Sequence, residues 1–269
     1  MMQKQTVLVV ALVGIVSTVS GVAGQRRAAD DGWCRQERNG DREQACEVRE
    51  YTVPVGAAQL SLDAAPNGGI EVKGATRGDI LIQAKVTTWA DTAQRAGELL
   101  RAIRVNAASD KVSADGPRTD RRESWSVSYR LAVPSQMSLD LRTVNGGISL
   151  ENVDGRLEFT TVNGGVKLTD VSGSVRGRTS NGGVEVDLEG ATWQGEGLDV
   201  ETNNGGIRLR VPEQYSARLE AGTVNGGINV DLPITVPGRI DREIATNLGG
   251  GGPLLRLRTH NGGVRVTKK

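Results

Sequence analysis

Leu139-Asp140-Leu141-Arg142-Thr143-Val144-Asn145-Gly146-Gly147-Ile148-Ser149-Leu150 is the unit from which most of the chain is built. Its centre, Asn-Gly-Gly, occurs seven times, at Asn67, Asn145, Asn163, Asn181, Asn204, Asn225 and Asn261, and Ile or Val follows each time. From Asn145 onward the motif asparagines lie 18, 18, 23, 21 and 36 residues apart. Periods of this kind mark stacked architectures, because one unit cannot bury its apolar face alone.

The flanking columns define two short strands per unit. Six residues before each Asn stand Leu139, Leu157, Val175, Leu198, Leu219 and Leu255, and two before stands Thr in all six units. Five after come Leu150, Leu168, Val186, Leu209, Val230 and Val266. Apolar residues at every second position put one face of each strand inward. The positions between are polar and mixed in sign, so stacking would set pairs such as Glu158 and Arg176 side by side.

Asn-Gly between alternating runs is also a strong hairpin signal. Burial separates the two readings. A long antiparallel meander needs a second layer, and only one helix is available to supply it. A coil winding back on itself buries each apolar face inside its own tube. The expectation is therefore an all-β, single-stranded β-helix-like solenoid of Asn-Gly-Gly repeats, with five or six coils over residues 135–269 making a rod of about 25–30 Å. The motif asparagines are expected to be structural, tolerating left-handed geometry at the corners while the glycines take positive φ.

Composition agrees with a repeat. Of the 269 residues only 3% are aromatic, and 14 of the 36 glycines belong to the motif, so the excess Gly is corner chemistry. Charged residues make up 24% and the net charge is +1, so nothing suggests the basic surface of a nucleic-acid binder, and no nucleic-acid partner is expected.

Before the repeats, Lys4 and the apolar run Val7–Val19, with small residues Val22-Ala23-Gly24, read as a secretory signal over 1–24. The alternative is an uncleaved anchor, since the uncharged span from Gln5 to Gln25 is just long enough to cross a bilayer. With the signal cleaved, no stable membrane span is expected. Residues 25–52 read as a polar leader, tied in an oxidising compartment by one disulfide between Cys34 and Cys46. Residues 53–134 form an N-terminal β region with one helix at about 91–104. Asp91 would cap it, and Ala96, Leu99, Leu100 and Ile103 make an apolar stripe suited to capping or flanking an open end of the β-structure. The 36-residue interval carries an insertion at about 233–253, which reads as a flexible surface loop on the binding side of the rod.

The repeated Thr-x-Asn-Gly-Gly-(Ile/Val)-x-(Leu/Val), behind a signal segment, resembles the adhesin-like β-strand-repeat family of bacterial envelope proteins, a domain of unknown function. The likeness covers about residues 53–267. It implies a β-helix-like, extracytoplasmic protein without established enzymatic activity, and it brings no catalytic residues to carry over.

The residues themselves offer one enzymatic reading. Stacked β-helices can host polysaccharide-cleaving sites built on paired carboxylates. Asp199, Glu201 and Glu220 are the candidates for a hydrolase or lyase, placed on one outer face of adjacent coils, with Arg208 and Arg210 near in sequence and Trp193 and Tyr215 in the turns. The plainer reading is a solvated face satisfied by arginines. His260 lacks a Gly-x-Ser-x-Gly partner and reads as an exposed turn residue. No metal set, cofactor motif or phosphate-cradling loop emerges. The sequence thus points to a non-enzymatic envelope-binding or scaffold protein, secreted, periplasmic or at the cell surface. Its partner would be an envelope protein or polysaccharide, with self-association through the solenoid ends as a further option.

Overall fold

A computed structural model describes residues 26–27, 32–34, 41–56, 58–64, 66–234 and 242–269. The expected signal segment, residues 25, 28–31 and 35–40 of the leader, and residues 235–241 of the insertion lie outside them. Among the described residues the strands form an 11-stranded and a 10-stranded sheet, with one helix.

Each Asn-Gly-Gly is the corner at which the chain passes from one sheet to the other. The strand before Asn145, Ser138–Asn145, lies in the 10-stranded sheet, and the strand after it, Ile148–Glu151, lies in the 11-stranded sheet. Because every unit crosses at the same corner, neighbouring strands run parallel and in register, with Asn163 opposite both Asn145 and Asn181. The two inner faces share one core. Leu139, Leu141, Ile148 and Leu150 are all buried, and the same columns are buried in the following units except at Gly177, Ile228 and Val230, which are half-buried. Phe159, the chain's one Phe, lies opposite Gly177; a Cβ on that glycine would overlap the Phe159 ring, so the missing side chain makes room for the large one. The stack has seven corners, which at about 4.8 Å each span about 29 Å.

The rungs do not stack in chain order. Along the stack the corners run Asn67, Asn145, Asn163, Asn181, Asn204, Asn261, Asn225: strand Leu254–Asn261 inserts between Gly197–Asn204 and Ala217–Asn225. The 36-residue interval supplies the chain length for that return. The insertion is also not simply a loop. Glu243–Leu248 is a strand that pairs antiparallel with Ala217–Asn225 and buries Ile244 and Leu248. An end rung leaves a row of unpaired backbone groups, and a reversed strand covers that edge. Gly249, Gly251 and Gly252, all at positive φ, turn the chain back.

At the other end the parallel pattern gives way to antiparallel strands. Glu43–Pro54 pairs with Asp79–Ala90, which pairs with Ser124–Pro134, and the last joins Ile70–Ala75 in parallel. Helix α1 (Ala93–Ala102) packs on the first two of these strands, burying Ala96 and Leu99. Its cap is Thr92, whose Oγ1 accepts from Arg95 N at 3.2 Å, and not Asp91, which is taken by Arg122 at 2.6 Å. Arg49 closes the other end, donating to the carbonyls of Leu100 and Ile103 at 2.8 and 2.7 Å. Cys34 and Cys46 are joined by a disulfide. No helix among the described residues is long and apolar enough to cross a membrane.

Candidate binding groove

The corner is held by three ladders. From the second rung onward each motif Asn donates from Nδ2 to Oδ1 of the Asn in the preceding rung, from Asn145 to Asn67 at 2.8 Å through to Asn225 on Asn261 at 2.8 Å. Each buried motif Thr donates its hydroxyl to the carbonyl of the first glycine of the preceding rung, as Thr202 does to Gly182 at 2.8 Å. The backbone forms the third ladder. The first glycine N–H reaches the Asn carbonyl of the next rung, and the Ile or Val N–H reaches the second glycine's carbonyl, as Gly164 does to Asn181 at 3.1 Å and Val166 to Gly183 at 2.9 Å.

These contacts correct the expected role of the glycines. Of the motif glycines only Gly262 has positive φ, and none of the motif asparagines does. The first glycine is required because rungs approach too closely for a side chain: a Cβ on Gly164 would overlap the carbonyl of Gly146, and one on Gly182 that of Gly164. Left-handed residues occur instead at the opposite turn, at Asn152 (φ 56°) and Asp170 (φ 50°).

The second glycine faces outward. Gly147, Gly165, Gly183, Gly206, Gly263 and Gly227 are exposed and floor an open groove of about 1010 Å³ along the stack. Their carbonyls are all used within the corner ladder. Their N–H groups find no protein acceptor among the described residues; only Gly69, in the first rung, donates, to Ser128 Oγ at 3.2 Å. The result is a row of backbone donors about 4.8 Å apart.

The wall is the column four residues after each Asn. In stack order it reads Glu71, Ser149, Lys167, Glu185, Arg208, Arg265 and Asn229. Glu185 is taken by Arg210 at 3.0 Å and lies 3.6 Å from Arg208, and Glu71 is taken by Arg130 at 3.3 Å. Arg265, opposite Arg208 in register, has no carboxylate partner among the described residues. Trp33 closes the Asn67 end, its ring 4.0 Å from the Arg130 guanidinium. Sequence reasoning missed this groove. Its signal was present as a column lacking a side chain in every rung beside a variable column.

The expected carboxylate site does not assemble. Asp199 and Glu220 are not on adjacent coils, because the inserted strand lies between them and places Arg256 there. Arg256 reaches Glu220 at 3.0 Å and Asp199 at 3.5 Å, and Arg218 adds a second contact to Glu220 at 3.2 Å. The hydrogen bond from Arg256 holds the Glu220 carboxyl below its ordinary range, the opposite of what a general acid needs. Glu201 lies between Arg178 and Arg258 in register. Chain-order stacking would have set Asp199 directly against Glu220, and like charges opposite each other are destabilising. Glu158 likewise takes Arg156, at 2.7 Å on its own strand, while Arg176 lies opposite it in register. Trp193 and Tyr215 are buried in the turns, with Trp193 Nε1 donating to Gly173 O at 3.0 Å, so neither offers a sugar platform. His260 is exposed. Among the described residues no group of three or more His, Cys, Asp or Glu could hold a metal ion.

Fold and groove together define a two-sheet parallel β-stack with a donor-lined channel along one corner. The chain belongs to the Toastrack DUF4097 family, whose model matches residues 75–267. No curated protein matches the chain. Similar solved structures include a candidate cell adhesion protein from Clostridium sporogenes, at 14% identity over 85% of this chain and 100% of that one, with a TM-score of 0.39. A candidate adhesin from Bacteroides fragilis follows at 11% identity, 84% and 97% coverage and TM-score 0.37. A candidate lipid binding protein from Parabacteroides distasonis stands at 10%, 85% and 97%, with TM-score 0.33.

Proposed function

We propose that this chain is a non-enzymatic, extracytoplasmic adhesin-like protein that holds an envelope component in the groove along its glycine corners. The observation that carries this reading is the unbroken row of outward, unpaired glycine N–H groups flooring that groove. The signal-like pattern read over 1–24 and the Cys34–Cys46 disulfide support an oxidising location outside the cytoplasm. The insertion at 233–253, expected to be the binding side, is a weaker candidate because part of it serves to cover a sheet edge.

The test is recovery of envelope components on the immobilised protein. Gly165→Leu lays a side chain over the groove floor where a Cβ meets only ordinary contact, 3.5 Å from Gly183 O. Loss of the recovered component in this variant, with unchanged thermal stability, is expected. Equal recovery contradicts the groove. The enzymatic alternative, through Asp199, Glu201 or Glu220, predicts new reducing ends from a polysaccharide panel; the arginine between two of these carboxylates argues against it.

A further inference from the structure

We infer that the groove's ligand is a linear, carboxylate-bearing glycan lying along the stack, a deepening that rests on the groove reading above. Beyond the first rung the second-glycine N–H groups are free, while the second-glycine carbonyls of those rungs are all engaged by Ile or Val N–H groups of neighbouring rungs. The floor therefore donates and does not accept. An extended peptide would have to bring its own N–H groups against this surface and leave them unpaired, which costs about 1–3 kcal/mol for each group so buried. A chain rich in acceptor oxygens meets no such penalty.

The wall sets charge and spacing. Lys167 and Arg208 lie two rungs apart, about 9.6 Å, with Glu185 between them, and Arg265 stands beside Arg208 without a carboxylate of its own. The advance of a 1,4-linked pyranose per ring is of the same order as the rung spacing of about 4.8 Å. In a chain whose successive rings face alternate sides, carboxylates recur on one side at every second ring. One carboxylate then meets Lys167 and the next meets Arg208 with Arg265, while a ring hydroxyl donates to Glu185. A polymer charged at every rung, such as polyphosphate, would place an anion against Glu185.

The experiment is a calorimetric titration of the full protein with a 1,4-linked galacturonate octamer, with its methyl ester and with polyphosphate of matched length. Binding of the octamer is expected, with at least tenfold weaker binding of the ester and of polyphosphate, and a similar loss in Arg208→Gln/Arg265→Gln. Equal binding of the ester or of polyphosphate, or no effect of the double substitution, overturns the ligand class. If the octamer fails to bind while Gly165→Leu still abolishes recovery of an envelope component, the glycan inference falls and the groove reading stands. If Gly165→Leu changes neither, both fall.

Discussion

Asn261 donates its Nδ2 amide to Oδ1 of Asn204 at 2.8 Å across 57 residues of chain, and so occupies the place that Asn225, nearer in sequence, would take in an ordered stack. The last repeat is an internal rung. Deleting residues 254–269 should therefore not simply shorten the rod. It removes the strands that join Gly197–Asn204 to Ala217–Asn225 and Ile207–Val211 to Ile228–Asp231. Limited proteolysis should then cleave rapidly between 212 and 234, with a broadened or lowered melting transition. A truncated protein that melts within a few degrees of the parent contradicts the crossed order.

The two glycines of a corner should respond very differently to the same change. Gly164→Ala drives a Cβ into the Gly146 carbonyl and should cost about 2–3 kcal/mol. Gly165→Ala, one residue later, meets only ordinary contact and should stay within about 1 kcal/mol of the parent. Chemical denaturation of the pair reads the difference.

Thr202 is buried, and its hydroxyl is spent on the Gly182 carbonyl. Thr202→Val keeps the shape and leaves that carbonyl without its side-chain donor, for an expected loss of about 1–2 kcal/mol. A change below a few tenths of a kcal/mol would show that the threonine column is not a structural ladder.

Two aspartates should shape the acid limb in opposite directions. Asp187 is held below its ordinary value, first by the hydrogen bonds from Arg210. Its stabilisation is present above the unfolded value of about 3.9 and is lost as pH falls through the folded value. Asp187→Asn should cost about 1–2 kcal/mol at pH 7 and much less near pH 2. Burial raises the Asp170 carboxyl, whose Oδ1 has no hydrogen-bond partner. Its ionisation penalises the fold at neutral pH, and the penalty fades as pH falls through the raised value. Asn152 already holds the equivalent left-handed position one rung earlier, so Asp170→Asn should stabilise by about 0.5–1 kcal/mol at pH 7. Melting curves from pH 2 to 8 separate the two.

The corner, the buried columns, the helix and the disulfide were legible because each is written in local period or spacing. Leu139 and Leu150 fall inward by parity alone. Rung order was not legible in local period, which is the same whichever rung comes next: Arg256 separates Asp199 from Glu220 only in the folded stack. The alternation of Ile244, Thr246 and Leu248 did signal a strand, but it is short and sits between Pro- and Gly-rich segments. The glycines were misread because close approach of backbones and positive φ select the same residue, and sequence cannot separate the two demands. The groove escaped notice for the same reason: its floor is made of atoms that carry no side chain.

The claim that the corners present free donors to the groove is tested most directly by amide hydrogen exchange, resolved by residue in two-dimensional NMR. Gly164 and Gly182, whose N–H groups donate to Asn181 and Asn204 at 3.1 and 3.0 Å, should exchange slowly. Gly165, Gly183 and Gly206 should exchange within the first spectrum. Protection of these second glycines equal to that of their neighbours would mean that the donors are occupied within the fold, and the binding account would lose its basis.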